Sequence, residues 1–210
     1  MRSEDFTIWT IGHSTHSYEQ FLKLVRGAGI TAIADVRTVP HSRHFQQFNK
    51  SALRDELRLD GIAYSFLGNE LGGRPRDQVY YCDGVADYEQ MAEAVEFKSG
   101  IDRLIEGSRK YRIALMCSER DPLDCHRCLL VGRVLASRNI AVRHILGNGR
   151  VVSHREIESQ LLSMASSQDD DLFMLPQERL AAAYKARARK VAFAEPTFDN
   201  QTEKIVKWNM

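Results

Sequence analysis

Cys117-Ser118-Glu119, followed closely by Cys125-His126-Arg127, gathers two thiols, a carboxylate, an imidazole and a guanidinium within eleven residues. A thiol beside an imidazole can supply a thiolate nucleophile. The thiolate is the reactive form of cysteine, and a nearby cation, imidazolium or helix amino terminus lowers the thiol pKa. Cys117 and Cys125 have comparable claims to that role. Glu119, His126 and, from a distant segment, His13 could move protons. Arg127 has the two-pronged donor geometry that holds a carboxylate or phosphate. Any one cysteine is more often a small buried packing residue; it is the combination that points to chemistry.

The same residue types bind zinc. Cys125 and Cys128 have the separation of a zinc knuckle, but the chain has no second closely spaced pair. Consecutive residues on a helix point about 100° apart, so Cys125 and His126 should diverge, while Cys128 should share the face of Cys125. No closed metal site is therefore expected, and no particular cofactor is indicated. An open site using one or two of these ligands with His13 is the weaker alternative.

These residues need a strand and a helix to hold them. Ile113-Ala114-Leu115-Met116 is a short apolar run bounded by charge, which reads as a buried strand. Leu129, Leu130, Val134 and Leu135 recur at helical spacing, so a helix is expected from Asp124 to Asn139. Upstream, β-branched and aromatic residues from Phe6 to Ile11 predict a strand ending at Gly12-His13-Ser14. Ser17 can cap a helix carrying Phe21, Leu22 and Val25. Ile30 to Val36 reads as a second strand, Ser51 to Asp60 as a helix and Ile62 to Leu67 as a third strand. One or two helices should fill Asp87 to Ser108, with a break near Ser99-Gly100, and Val142 to Leu146 reads as the last strand of the core.

Strands alternating with helices imply an α/β fold, with a mostly parallel sheet covered by helices on both faces. Right-handed crossovers then align the strands' carboxyl ends, where open α/β sheets bind ligands. His13, Asp35, Arg37, Glu70 and Cys117 would share that rim. Asp35 and Arg37 flank Val36, so an extended backbone points both to one side. They pair with each other or meet a ligand. Glu70 lies in a long loop from Gly68 to about Gly84, and unusually long loops tend to be functional.

The chain divides by character into an α/β domain, 1–150, and a helical extension and tail, 151–210. Ser163 to Asp171 is the linker candidate, a helix is expected from Pro176 to about Ala192, and little pattern follows Pro196. With 43% hydrophobic residues, 27% charged residues and a net charge of +1, bulk electrostatics give no reason for a polyanion or a membrane as partner. No run approaches the roughly 18 apolar residues a membrane helix needs, and no secretory leader is visible, so a cytoplasmic location is expected. Four cysteines are too few for a disulfide framework. A basic stretch from Arg37 to Arg58, with Phe45 and Phe48 among its cations, keeps nucleic acid open as a partner. Oligomeric state is not indicated.

Thr10-Ile11-Gly12-His13-Ser14, Asp35-Val36-Arg37 with Pro40 and Ser42, Phe48-Asn49-Lys50, Leu71-Gly72-Gly73, Met116-Cys117-Ser118-Glu119 and Cys125-His126-Arg127 together resemble the family known as domain of unknown function 488. The resemblance runs from about Phe6 to Gly149 and implies an α/β domain with these motifs at one edge. It implies no particular reaction. Cys128 departs from the small or apolar residue the family pattern leads one to expect. The leading expectation is a hydrolase or transferase acting on an anionic or nucleotide-like ligand. Ser14, Asp35, Arg37, Ser42, Glu70 and Arg127 would bind that ligand. A nucleic-acid-associated binding module and a thiol-based redox or metal sensor are the alternatives.

Overall fold

The computed structural model describes residues 6–165 and 174–195. Its strands are β1 (Thr7–Gly12), β2 (Ala32–Asp35), β3 (Ala63–Phe66), β4 (Tyr81–Cys82), β5 (Val85–Ala86), β6 (Ile113–Cys117), β7 (Ala141–Ile145) and β8 (Val151–Ser153). Its helices are α1 (Tyr18–Gly27), α2 (Lys50–Leu59), α3 (Gly68–Leu71), α4 (Tyr88–Glu93), α5 (Val95–Ser108), α6 (Arg133–Ser137), α7 (His154–Ala165) and α8 (Pro176–Val191). Six strands form one sheet in the order β3-β2-β6-β1-β7-β8, parallel throughout except for β8 at the edge. β4 and β5 make a separate hairpin.

Both faces are covered, as alternating strands and helices require. On one face Ile11, Ile33 and Met116 pack with Phe21 and Val25 of α1 and Leu53 and Leu57 of α2. On the other, Ile8, Ala34 and Leu115 pack with Ile101, Leu129, Ile157 and Tyr184. Helices on both sides explain why β1, β2 and β6 are buried along nearly their whole length rather than at alternate residues. Ser17 does cap α1, its Oγ accepting from Gln20 N–H at 3.2 Å.

The structure departs from the sequence reading in four places. Val142 to Leu146 is not the last strand: after the turn at Gly147-Asn148-Gly149, Val151–Ser153 returns antiparallel to β7. The break between Asp87 and Ser108 falls at Ala94, not at Ser99-Gly100. Part of the presumed loop around Glu70 is the short helix α3. Finally, the expected single helix from Asp124 to Asn139 is a 3-10 turn at Pro122–Asp124, an extended Cys125, a π-helical stretch at Arg127–Gly132, and then α6. Pro122 and the Asp121 side chain, which accepts from Leu123 N–H at 2.8 Å, stabilise that turn and delay the helix.

The described residues after 150 build onto the same core. Ile157 and Leu161 of α7 and Ala183 and Tyr184 of α8 pack against the sheet. Beyond α8 the backbone pairs with the hairpin, where Ala86 N–H donates to Phe193 O at 2.9 Å. Of the expected linker, Ser163 to Ala165 complete α7 and the remainder lies outside the described residues, as does the stretch beyond Pro196.

Candidate active site

β1 and β6 are neighbours, but the connections that leave them run on opposite faces of the sheet, β1 into α1 on one side and β6 into the π-helical stretch on the other. This divergence opens a crevice beyond their carboxyl ends, the place where open α/β sheets bind ligands. The loops leaving both strands continue the ladder: His13 N–H donates to Cys117 O and Ser14 N–H to Ser118 O, each at 2.9 Å. Gly12 makes this closeness feasible. A Cβ there would lie 1.9 Å from the Glu119 carbonyl oxygen.

Cys117, Glu119, Cys125 and His126 meet at this edge. Glu119 Oε2 is 2.8 Å from Cys117 Sγ and 2.9 Å from Cys125 Sγ. His126 Nδ1 is 3.8 Å from both sulfurs. The expected divergence of Cys125 and His126 does not occur, because Cys125 is extended (φ −141°, ψ 138°) and the helical turn begins only at His126. His126 Nε2 lies 2.9 Å from Val36 O. A carbonyl can only accept, so Nε2 carries a proton and Nδ1 of the neutral ring offers its lone pair to the thiols. Gly73 lies against this ring; a Cβ there would be 2.7 Å from His126 Cγ.

Arg127 is fully buried behind the thiols. Its Nη1 donates to Glu119 O at 2.7 Å and its Nη2 to Arg120 O at 3.1 Å, while Nε has no partner. Among the described residues no carboxylate forms an ion pair with it. A buried cation without a counter-charge is costly. Burial alone would push the Cys125 thiol up, but the hydrogen bond from Cys117 with Arg127 and His126 outweighs it and draws the group well below the ordinary thiol range. Burial and the adjacent Cys125 drive Cys117 the other way. Burial and Cys125 also raise Glu119, so this carboxyl holds its proton more readily than usual. Burial acts against protonation of His126, but Cys125 and Glu119 more than offset it and raise the ring. Cys125 is thus the sulfur most ready to ionise, and His126 the group most ready to take its proton.

The other half of the edge is built by Asp35 and Arg37, which point to one side as their spacing predicts. Arg37 Nε and Nη2 donate to the two Asp35 oxygens at 2.9 and 2.7 Å, and Nη2 also reaches Phe48 O at 2.8 Å. Tyr64 OH donates to Asp35 Oδ2 at 2.8 Å. Arg37 Nη1 lies 3.3 Å from His13 Nε2, which accepts, and His13 Nδ1 donates to Ser14 O at 3.0 Å. His13 stacks on Phe48 with ring centroids 4.2 Å apart. Burial and then the Arg37 charge lower His13 to about 4, so the ring is neutral near pH 7.

A cleft of about 530 Å³ opens over both halves. Of the residues predicted from sequence, His13, Ser14, Arg37, Ser42, Cys117, Glu119, Cys125 and His126 line it. Asp35 and Arg127 do not: Asp35 is enclosed by Arg37 and Tyr64, and Arg127 is held by backbone carbonyls. Both lie behind the lining. Glu70 is elsewhere. It pairs with Arg103 and borders a separate cleft under α3 and α5. Phe48, read as a stacking residue for bases, is fully buried against His13 and Phe21. The sequence reading missed Arg74, Tyr88 and Phe193 as parts of the wall. Arg74 lies 4.8 Å over the Phe193 ring, a contact between segments too distant in sequence to suggest each other.

Two groups of buried side chains have donor sets suited to a metal ion: Cys117 with Cys125 and His126, and Cys128 with His144 and His154. Cys128 therefore parts from Cys125, because the extended conformation of Cys125 removes the helical relation between them.

A family model described as Domain of unknown function DUF488 matches residues 17–134, more than half of the 210-residue chain. The match covers the cysteine motif and starts just after His13-Ser14, inside the wider span suggested by the motifs. No curated protein and no solved structure matches the chain.

Proposed function

The chain belongs to the family described as Domain of unknown function DUF488, and from that premise and the cleft geometry we propose a hydrolase or transferase acting on an anionic or nucleotide-like ligand. The observation that carries the reading is the buried Arg127, whose Nε lacks a partner and which lies beside the Cys125 thiol. An ionised Cys125 supplies the missing counter-charge and a nucleophile at once.

The Cys125 proton passes to His126 Nδ1, while Nε2 stays on Val36 O. Cys125 Sγ then attacks an electrophilic carbon or phosphorus, and the bond to the leaving group breaks as that group takes the proton from His126. Glu119 is placed to activate the water or acceptor that releases the group from sulfur. An anion would be met by Arg74 and by the Arg37 Nη1 prong, with Ser14 and Ser42 on the same wall. Phe45 and Phe193 give the cleft aromatic surface suited to a base or similar ring.

The test is a panel of nucleoside phosphates and related anionic esters, with turnover and covalent adducts followed by mass spectrometry. Cys125→Ser should remove turnover and the adduct on that residue, with folding stability changed by no more than about 1 to 2 kcal/mol. Equal turnover by the wild type and Cys125→Ser would rule the nucleophile out.

A second reading is favoured by the equal 3.8 Å spacing of His126 Nδ1 from both sulfurs. That arrangement, with the far ring nitrogen on a backbone carbonyl, also suits a metal centre with an open side toward the cleft. Metal content of the untagged protein separates the two.

A further inference from the structure

On the sheet face opposite α1 and α2, behind the cleft and contributing nothing to its wall, three metal-binding side chains converge from three elements. They are Cys128 on the π-helical stretch, His144 on β7 and His154 at the start of α7. All three are buried, and one donor atom from each lies within 4.8 Å of the others. We propose that Cys128, His144 and His154 form a second site that takes a divalent transition ion of the zinc class. The proposal is independent of the reading of the cleft.

The surroundings fit a metal site better than plain packing. His144 Nε2 and His154 Nδ1 face each other at 2.9 Å, and the outer nitrogen of each ring is held by a fixed polar group. His144 Nδ1 is 2.8 Å from Thr10 Oγ1. His154 Nε2 is 2.9 Å from Tyr184 OH, which donates to Glu158 at 3.1 Å, and Glu158 lies 3.8 Å from the same nitrogen. Imidazoles that ligate metals have their outer nitrogens held in this way, which fixes ring orientation and tautomer. Thiolate and imidazole are also the donors that zinc prefers.

Without an ion, one proton is shared between the facing nitrogens. On binding, that proton moves to His144 Nδ1, facing Thr10, and the Cys128 thiol proton leaves to solvent. The ion then bonds to one sulfur and two nitrogens. The two rings part by a few tenths of an ångström to suit metal–nitrogen bonds of about 2.0 to 2.1 Å. Net release is one proton per ion. The Cys128 thiolate and the nearby Glu158 carboxylate together offset the charge of the dication, while the adjacent Arg127 guanidinium favours the thiolate but acts against the ion. Because Tyr184 belongs to α8, the ion would fasten both C-terminal helices to the sheet.

The experiment uses the full-length, untagged chain, stripped with chelator and titrated with Zn²⁺ and Co²⁺. It compares the wild type with Cys128→Ser, with Cys117→Ser/Cys125→Ser and with Thr10→Val. Binding that survives the double change, disappears with Cys128→Ser and weakens about 10- to 100-fold with Thr10→Val supports the site. So does a second equivalent lost only with Cys128→Ser. Binding lost with the double change but kept with Cys128→Ser assigns the metal to the cleft and overturns the proposal, as does a wild type that binds nothing. If Cys128→Ser fails to fold, X-ray absorption of the loaded double variant decides. One sulfur and two nitrogens support the site, and no sulfur overturns it.

Discussion

Cys125 Sγ sits 3.8 Å from His126 Nδ1 although the two residues are consecutive. The geometry exists because the backbone changes from extended to helical between them. With His126 removed, Cys125 loses both a proton acceptor and a positive neighbour. His126→Asn should therefore move the midpoint of Cys125 alkylation to higher pH, while Arg127 keeps part of the depression. An unchanged midpoint would show that the imidazole does not tune the thiol.

The Asp35–Arg37 pair separates a structural role from a ligand role. Both side chains are nearly inaccessible, with 0% and 5% exposure. Removing one partner leaves the other charge buried and unpaired, so Arg37→Met should cost about 3 to 5 kcal/mol in urea unfolding. The double change Asp35→Leu/Arg37→Met should cost less than the sum of the single changes. Additive losses would mean that the pair is not coupled.

Two glycine substitutions should have different outcomes. Gly12→Ala sets a Cβ against the Glu119 backbone at 1.9 Å, and a strand end fixed on both sides cannot yield that far. A loss above about 3 kcal/mol is expected from denaturant titration. Gly73→Ala meets the His126 ring at 2.7 Å and should chiefly displace that ring, reducing Cys125 reactivity more than stability. If Gly73→Ala alkylates like the wild type, the ring is not locked in place.

Much of this was legible in the sequence, and the rest was hidden for identifiable reasons. The parallel sheet follows from apolar runs such as Ile113 to Met116, and the shared rim from the common direction of the strands. Asp35 and Arg37 were correctly placed on one side because strand periodicity is short-range. Cys125 and His126 were assigned divergent directions because Pro122 and the Asp121 cap, which delay the helix, were not weighed. Glu70 follows the carboxyl end of β3, as the rim reading requires, but it sits in α3, where it pairs with Arg103 of α5 and does not line the cleft. Phe193 could not be anticipated, since its place depends on α8 returning the chain to the β4–β5 hairpin.

His13 gives a pH dependence with a definite sign. Its folded pKa is about 4, against about 6.5 for an unfolded histidine. Between those values the unfolded chain binds more protons, so stability falls as pH drops through the window. The shift corresponds to an upper value of about 3 kcal/mol, present above pH 6.5 and lost by pH 4. The stability difference between wild type and His13→Asn should shrink by about that amount across this range. A difference that stays constant with pH would contradict the buried neutral ring.

The central claim is that Cys125, buried at the wall of an anion-binding cleft, is a reactive thiolate. Iodoacetamide labelling of the native chain as a function of pH, read peptide by peptide, tests it directly. The account predicts that Cys125 is labelled ahead of Cys117 and Cys128, with a midpoint below the ordinary thiol value of about 8.5, and that inorganic phosphate slows the reaction. Labelling of Cys125 only above that value, or of Cys117 in its place, would contradict it.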